Sequence, residues 1–222
     1  MTRHFTRLAA VLAVAALLPT AATAQVSFFT SQANWTAALN GGSAGVDTFN
    51  DLPGVGVPSP LNRTAGSFSY VASVIANGGS PDFFPAGTAG DRWLSTDFAG
   101  AGMRFASFTA GTNAIGGEIF GSDIGGAFQN GPISVAWATT AGSGSTTLTA
   151  PSSTSFWGLV TTGTLTSLTI TGVDDDDDVI WGTVNNLRLG QARPTTVIPE
   201  PSTYALVATG LVALVMVRRR RA

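Results

Sequence analysis

Three observations predict an all-β fold, an antiparallel β-sandwich of jelly-roll type. Short stretches between residues 67 and 189 alternate apolar and polar residues, most cleanly where Ile133, Val135 and Trp137 interleave with Ser134 and Ala136. These stretches are rich in Thr, Val, Ile and aromatic residues, which suit a half-buried pleated surface. Turn formers separate them: Gly78-Gly79, Gly116-Gly117, Gly125-Gly126, Asn130-Gly131-Pro132 and Gly142 to Gly144. About eight such strands fit a sandwich, and the lack of a fixed-period repeat argues against a propeller or a β-helix.

At the N-terminus, residues 1–24 have the order of a cleavable export signal, drawn as a signal helix. Arg3 and Arg7 supply the positive region, Leu8 to Leu18 the apolar region, and Ala22-Thr23-Ala24 the small-residue site before Gln25. Cleavage is therefore expected between Ala24 and Gln25, and it would remove His4, the sole His. The sandwich domain is expected over residues 25–195. Ser31 to Leu39 reads as a short helix with Ser31 as N-cap, Trp35 and Leu39 on one face, and Gly41-Gly42 as its stop. Asp51 to Pro60, with three prolines and two glycines, reads as a loop. Strands are expected at Ser67 to Ile75, Met103 to Phe108, Ala114 to Phe120, Ile133 to Ala138, Thr146 to Thr149, Ser155 to Val160, Leu165 to Thr171 and Thr183 to Leu189.

The C-terminal segment, residues 196–222, is an address of a different kind. Tyr204 to Val217 is 14 residues without a charge. At about 1.5 Å per residue it reaches roughly 21 Å, short of a hydrocarbon core of roughly 30 Å. Counting Thr203, residues 203–217 are expected to form a short transmembrane helix, and Arg218, Arg219, Arg220 and Arg221 to form its cytoplasmic stop. Pro199 and Pro201 flank Glu200, remove two backbone donors and disfavour helix, leaving an extended strip at the outer membrane surface. Ile198-Pro199-Glu200-Pro201-Ser202, the apolar run and the Arg cluster resemble the PEP-CTERM sorting signal of Gram-negative bacteria. A similar tail is sometimes labelled an ice-binding-protein C-terminal domain. The resemblance implies recognition by an exosortase, an integral membrane processing enzyme, with cleavage near the motif. It also implies an inner-membrane intermediate, transient membrane contact, and delivery to the cell surface or extracellular matrix.

Several body segments also resemble one recurrent type of PEP-CTERM protein. They are Phe28-Phe29-Thr30 with the Trp35 helix, Asn113 to Asp123, Gly131-Pro132-Ile133, Phe156-Trp157-Gly158-Leu159 and Val184-Asn185-Asn186-Leu187. That resemblance implies a lectin-like sandwich of unassigned activity.

Composition removes whole classes of chemistry. There is no Cys and no Lys among the 222 residues, so thiolate metal sites, Cys nucleophiles, Schiff-base lysines and P-loop lysines are excluded. Without His, the processed chain cannot assemble a Ser-His-Asp triad or a His-ligated zinc site. Between Gln25 and Val197 there are five Arg against twelve acidic residues, a net charge near -7, so the body has no basic footprint for nucleic acid. Only carboxylates remain as chemical groups. Glu118 is the only Glu outside the tail; it is expected to face solvent from a strand, with Asp123 in the following turn. Asp47-Thr48-Phe49 lacks the Gly of an aspartic-protease loop and has no second copy.

The run Asp174 to Asp178 reads first as a solvated hairpin loop. The alternative is a Ca²⁺ site drawing on Asp174, Asp176 and Asp178, since hard cations take oxygen ligands. Asp82, Asp91 and Asp97 form a second, weaker acidic cluster. Trp181 and Trp93 are the candidates for stacking on sugar rings; Trp157, Phe83 and Phe84 are further ones, while Trp137 is expected in the core. The expected function is non-catalytic: a biofilm- or exopolysaccharide-associated structural protein of the cell surface. A carbohydrate-binding module, assisted by Ca²⁺, is the alternative, and a carboxylate-dependent glycan hydrolase the remote one.

Overall fold

A computed structural model describes residues 25–76, 78–173, 179–194, 207, 209–211 and 217–219. The chain divides into two compact units, Met1–Ala192 and Arg193–Ala222. In the second unit residues 207, 209–211 and 217–219, Arg218 and Arg219 among them, are helical. No helix among the described residues is long and apolar enough to cross a membrane. Residues 203–206, 208, 212–216, Arg220 and Arg221 of the expected span and stop lie outside the described residues. So do the signal segment 1–24 with Ala24, the run 174–178 and the Pro199-Glu200-Pro201 strip.

The first unit is an all-β sandwich of two antiparallel sheets. Its elements are β1 (Val26–Phe29), α1 (Gln32–Ala38), β2 (Ser43–Asp47), β3 (Leu61–Ala65), β4 (Phe68–Ile75), β5 (Phe83–Thr88) and β6 (Asp91–Thr96). After them come β7 (Gly102–Ala106), β8 (Ala114–Ser122), β9 (Phe128–Gln129), β10 (Ile133–Thr139), β11 (Gly142–Leu148), β12 (Phe156–Thr161), β13 (Leu165–Gly172) and β14 (Trp181–Gln191). The larger sheet runs β1-β12-β8-β14-β6-β5, with β2 also on β14 and β9 also on β8. The smaller runs β11-β10-β13-β7-β4-β3.

Alternation explains the core. Ile133 and Val135 on β10, Met103 and Phe105 on β7, and Leu168 and Ile170 on β13 are fully buried from the smaller sheet. They meet Ile115 and Ile119 on β8, Leu159 on β12, Leu94 on β6, and Val184, Leu187 and Leu189 on β14. Burying these side chains against each other is the main force that joins the sheets. A second, smaller cluster lies on the outer face of the larger sheet, where α1 packs Trp35 and Leu39 over Ala114 and Phe156. The Trp35 indole donates to the Leu159 carbonyl at 3.1 Å. A Cβ at Gly158 would come within 2.7 Å of that indole, so only glycine lets the helix sit this close.

The structure corrects several expectations. Ser31 has extended backbone at the N-cap position but its side chain makes no capping bond. Strands β1, β2, β3, β5, β6 and β9 were not foreseen. Gly116-Gly117 does not interrupt a strand: both residues lie inside β8, where a Cβ at Gly116 would meet the Phe156 ring at 2.6 Å. Gly142 to Gly144 likewise opens β11. Phe83, proposed for sugar stacking, is completely buried in β5, because the flanking prolines are tolerated at a sheet edge. Trp157 is also buried in the core, whereas Trp137 is only partly buried against it. The strands on either side of the Asp run belong to different sheets, so the run connects two sheets rather than closing a hairpin.

Truncation of a central residue should be costly. Phe105→Ala is expected to destabilise the sandwich by about 3–5 kcal/mol, read as a lower denaturant midpoint at unchanged slope.

Candidate functional site

A cleft of about 860 Å³ opens where β2 of the larger sheet runs beside β3 and β4 of the smaller one. Asp47 at the end of β2, Arg63 on β3 and Tyr70 on β4 form its floor, and Asn50, Asp51, Asn62, Thr64 and Ser69 its rim. Alternation puts Arg63 and Asp47 on facing sides, 16 residues apart in sequence. Arg63 Nε donates to Asp47 Oδ2 at 2.8 Å, and Nη2 donates to Asp47 Oδ1. The same guanidinium holds Asp51 in a second fork, Nη1 to Oδ2 at 2.8 Å and Nη2 to Oδ1 at 2.7 Å. Tyr70 Oη donates to Asp47 Oδ2 at 2.7 Å, and the Phe49 N–H donates to Oδ1 at 3.0 Å. Phe49 is fully buried with φ 59, a left-handed conformation that is strained for a bulky residue. The bond from its N–H to Asp47 and the Arg63 guanidinium 5.4 Å over its ring hold it there.

Electrostatics follow from this pairing. Burial opposes the Arg63 charge, but bonds and attraction from Asp47 and Asp51 outweigh it and keep the guanidinium firmly protonated. Burial pushes the Tyr70 hydroxyl well above its ordinary range, and the Asp47 charge pushes it further. The Arg63 hydrogen bond holds Asp51 below the usual carboxylate range, although Asp51 itself is largely exposed. Asp47 accepts on both oxygens from four donor groups on three residues, so its carboxylate is fully engaged within the fold.

A second polar group lies on the outer face of the larger sheet. Glu118 of β8 is paired across the sheet with Asn185 of β14, and Asn185 Nδ2 donates to Asp91 Oδ1 at 3.2 Å. A register shift between Asn185 and Arg188, with Asn186 at φ 48, crowds two Asn side chains and an Arg beside that carboxyl. Burial raises the Glu118 carboxyl above its ordinary value; a bond from Asn186 and the Arg188 charge oppose this, and the Asp91 charge adds to it. Glu118 is therefore half-buried, not solvent-facing as expected. Glu118 Oε2, Arg188 Nε and Trp93 Nε1 are buried without a protein partner. Nearby, the hydroxyls of Ser95, Ser122 and Thr183 bond one another in a buried trio.

The other predicted residues, Trp93 at the border of the second group excepted, do not converge on either place. Trp93 is partly buried and packs edge-on against Phe120 at 4.9 Å, while Trp181, also partly buried, opens β14. Asp123 accepts from the Ala127 N–H as a turn residue. Among the described residues no group of three His, Cys, Asp or Glu could hold a metal ion, and Asp174, Asp176 and Asp178 lie outside them. Gln25 is exposed, its N–H bonded to Thr162. Sequence reasoning missed the Arg63 network because nothing local signals it: the pairing exists only once the two sheets face each other.

Comparison with protein families decides the address. Residues 197–221 match the PEP-CTERM protein-sorting motif. The chain carries an exosortase sorting signal. The motif implies an exported protein that is recognised and processed by an exosortase at the membrane and delivered to the cell surface. No curated protein and no solved structure matches the chain.

Two outcomes are expected at these sites. Tyr70→Phe leaves the buried Asp47 short of one donor and should lower stability by about 1.5–3 kcal/mol in denaturant titration. Glu118 has a folded pKa above the unfolded value of 4.5, so the native state binds more protons and loses stability as pH rises from there. Thermal melts of Glu118→Gln should therefore match the parent near pH 3 and show a higher midpoint than the parent at pH 7.

Proposed function

We propose that the protein is a non-catalytic structural or adhesive component of the surface or of a polysaccharide-containing matrix of a Gram-negative bacterium. The PEP-CTERM motif at residues 197–221 carries this reading, since it directs the sandwich outward. Residues 203–217 serve as a transient membrane helix, and Arg218 to Arg221 hold its cytoplasmic end. A body without Lys, Cys or, after signal removal, His supports a role that needs no nucleophile. Pairing of Asp47 and Arg63 with each other supports it too.

A second reading, carbohydrate binding, is favoured by the cleft. Asn50, Asn62, Thr64 and Ser69 are exposed on its rim and offer neutral donors and acceptors of the kind that sugar hydroxyls match. In a jelly-roll, lectin-like sandwich this rim is the natural contact; a Ca²⁺ ion bound by Asp174, Asp176 and Asp178 is the further aid that the acidic run would offer.

Replacing Pro199, Glu200 and Pro201 together by Ala should hold full-length protein in the inner membrane, as seen by cell fractionation; normal release of that variant would refute the sorting assignment. Screening the chain against a glycan array, with and without Ca²⁺, separates the two readings. Binding that Asn62→Ala weakens supports the cleft, and no binding in either condition leaves the structural role.

A further inference from the structure

Among the described residues, the buried side-chain nitrogens and oxygens that lack a hydrogen-bond partner fall together. They are Trp93 Nε1, Glu118 Oε2 and Arg188 Nε. Their strands, β6, β8 and β14, are neighbours in the larger sheet, in the order β8-β14-β6. Register puts all three on one face. Val184 pairs with both Leu94 and Ile119, and these three side chains belong to the core. Alternation therefore sets Trp93, Asn185 and Glu118 side by side on the outer face, and Phe156 continues the row beyond Glu118. The irregularity between Asn185 and Arg188 turns Arg188 to the same face, opposite Gly116 and two residues along β8 from Glu118.

A buried polar atom left without a partner forfeits the bond it made with water, so three in one patch are a cost that needs a reason. The next row of the same face shows that this sheet can match its polar groups: Ser95, Ser122 and Thr183 bond one another. Asn185 cannot serve the three orphans, because its Nδ2 donates to Asp91 and its Oδ1 accepts from the Asn186 N–H. Asn186 stands beside Glu118 in a left-handed backbone, φ 48, and strain of this kind gathers at functional sites. The patch is not sealed. Trp93, Glu118, Asn186 and Arg188 are each partly exposed, and Asp91 next to them is exposed. A change of rotamer presents the three atoms to a ligand, the kind of adjustment that binding commonly brings.

We propose that the Trp93, Glu118 and Arg188 group is a binding site for a neutral polyhydroxyl ligand, a sugar residue, on the outer face of the larger sheet. The unmatched set selects that chemistry. Two N–H donors and one carboxylate acceptor are satisfied by a pair of neighbouring hydroxyls, because each hydroxyl accepts and donates at once. An anion would meet the repulsion of Glu118 and Asp91, and a cation would meet the Arg188 charge and two N–H donors. An apolar group would leave all three atoms as they are. The partly exposed Trp93 ring adds apolar surface for the C–H groups of the same ligand. This site shares no residue with the cleft of β2, β3 and β4 and does not depend on it.

The chain has five Trp, so heteronuclear NMR of the full chain gives five indole N–H signals, and Trp93→Phe identifies that of Trp93. The probes are the methyl glycosides of glucose, galactose, mannose and N-acetylglucosamine. At least one should move the Trp93 signal saturably, with a dissociation constant below about 100 mM. Glu118→Gln keeps the size of the side chain but removes its charge, and should weaken that binding at least about fivefold. Unmoved signals from the other four Trp would show that this variant is folded. Asn62→Ala, in the cleft, should leave the binding unchanged. A Trp93 signal that none of the four glycosides moves up to about 100 mM would make water the sole occupant and overturn the proposal. Equal affinity in Glu118→Gln would overturn it too, and so would loss of binding in Asn62→Ala, which would assign the sugar to the cleft.

Discussion

The buried ion pair between Asp47 and Arg63 is the constraint from which much of the molecule's asymmetry follows. It joins the last residue of β2, in the larger sheet, to β3, at the edge of the smaller one. Two charges at 3% and 11% side-chain exposure are costly to take out of water unless every donor and acceptor is matched. Here they are matched: two oxygens of Asp47 meet Arg63, Tyr70 and the Phe49 N–H, and the spare side of Arg63 takes Asp51. The pair secures one side of the sandwich, holds Phe49 in its strained backbone and shapes the floor of the polar cleft. Among the described residues the ion pairs are the two that Arg63 makes.

Charge is thus distributed by role. Arginines close the tail that carries the sorting motif, while residues 25–46 and 124–173 of the body contain no charged residue and are rich in Ser and Thr. The polar cleft is built on β2, β3 and β4 and the half-buried Glu118 group on β8 and β14, so the two offer separate surfaces.

Much of the fold was legible in the sequence, and the limits have physical causes. β4, β7, β8, β10, β12, β13 and β14 were readable because they lie in the sheets' interiors and alternate strongly, as do Ile133, Val135 and Trp137, and the second half of the edge strand β11 was readable at Thr146 to Thr149 from its run of Thr. The edge or short strands β1, β3 and β5 were not, since an edge tolerates Pro85 or Arg63 and so loses the signature of a strand. β8 shows the converse: Gly116-Gly117 looks like a breaker by composition, but the glycines are required by Phe156 and the β14 backbone pressed against them. The sorting address was legible in full because its signal is local, a strip, an apolar run and a charge block in fixed order. The cleft was not, because Asp47, Arg63 and Tyr70 meet only through strand pairing, and Glu118 looked exposed because the irregularity at Asn185-Asn186 that buries it lies about 67 residues away.

A double-mutant cycle on Asp47 and Arg63 tests the central constraint most directly. Asp47→Asn, Arg63→Met and the double variant would be unfolded in denaturant beside the parent. Each single change should cost about 3–5 kcal/mol, because it strands the other charge in the interior, and the double should cost much less than their sum. A coupling energy of at least about 2 kcal/mol is the predicted result. Additivity to within about 0.5 kcal/mol would contradict the account and show that the sheets are held without the pair.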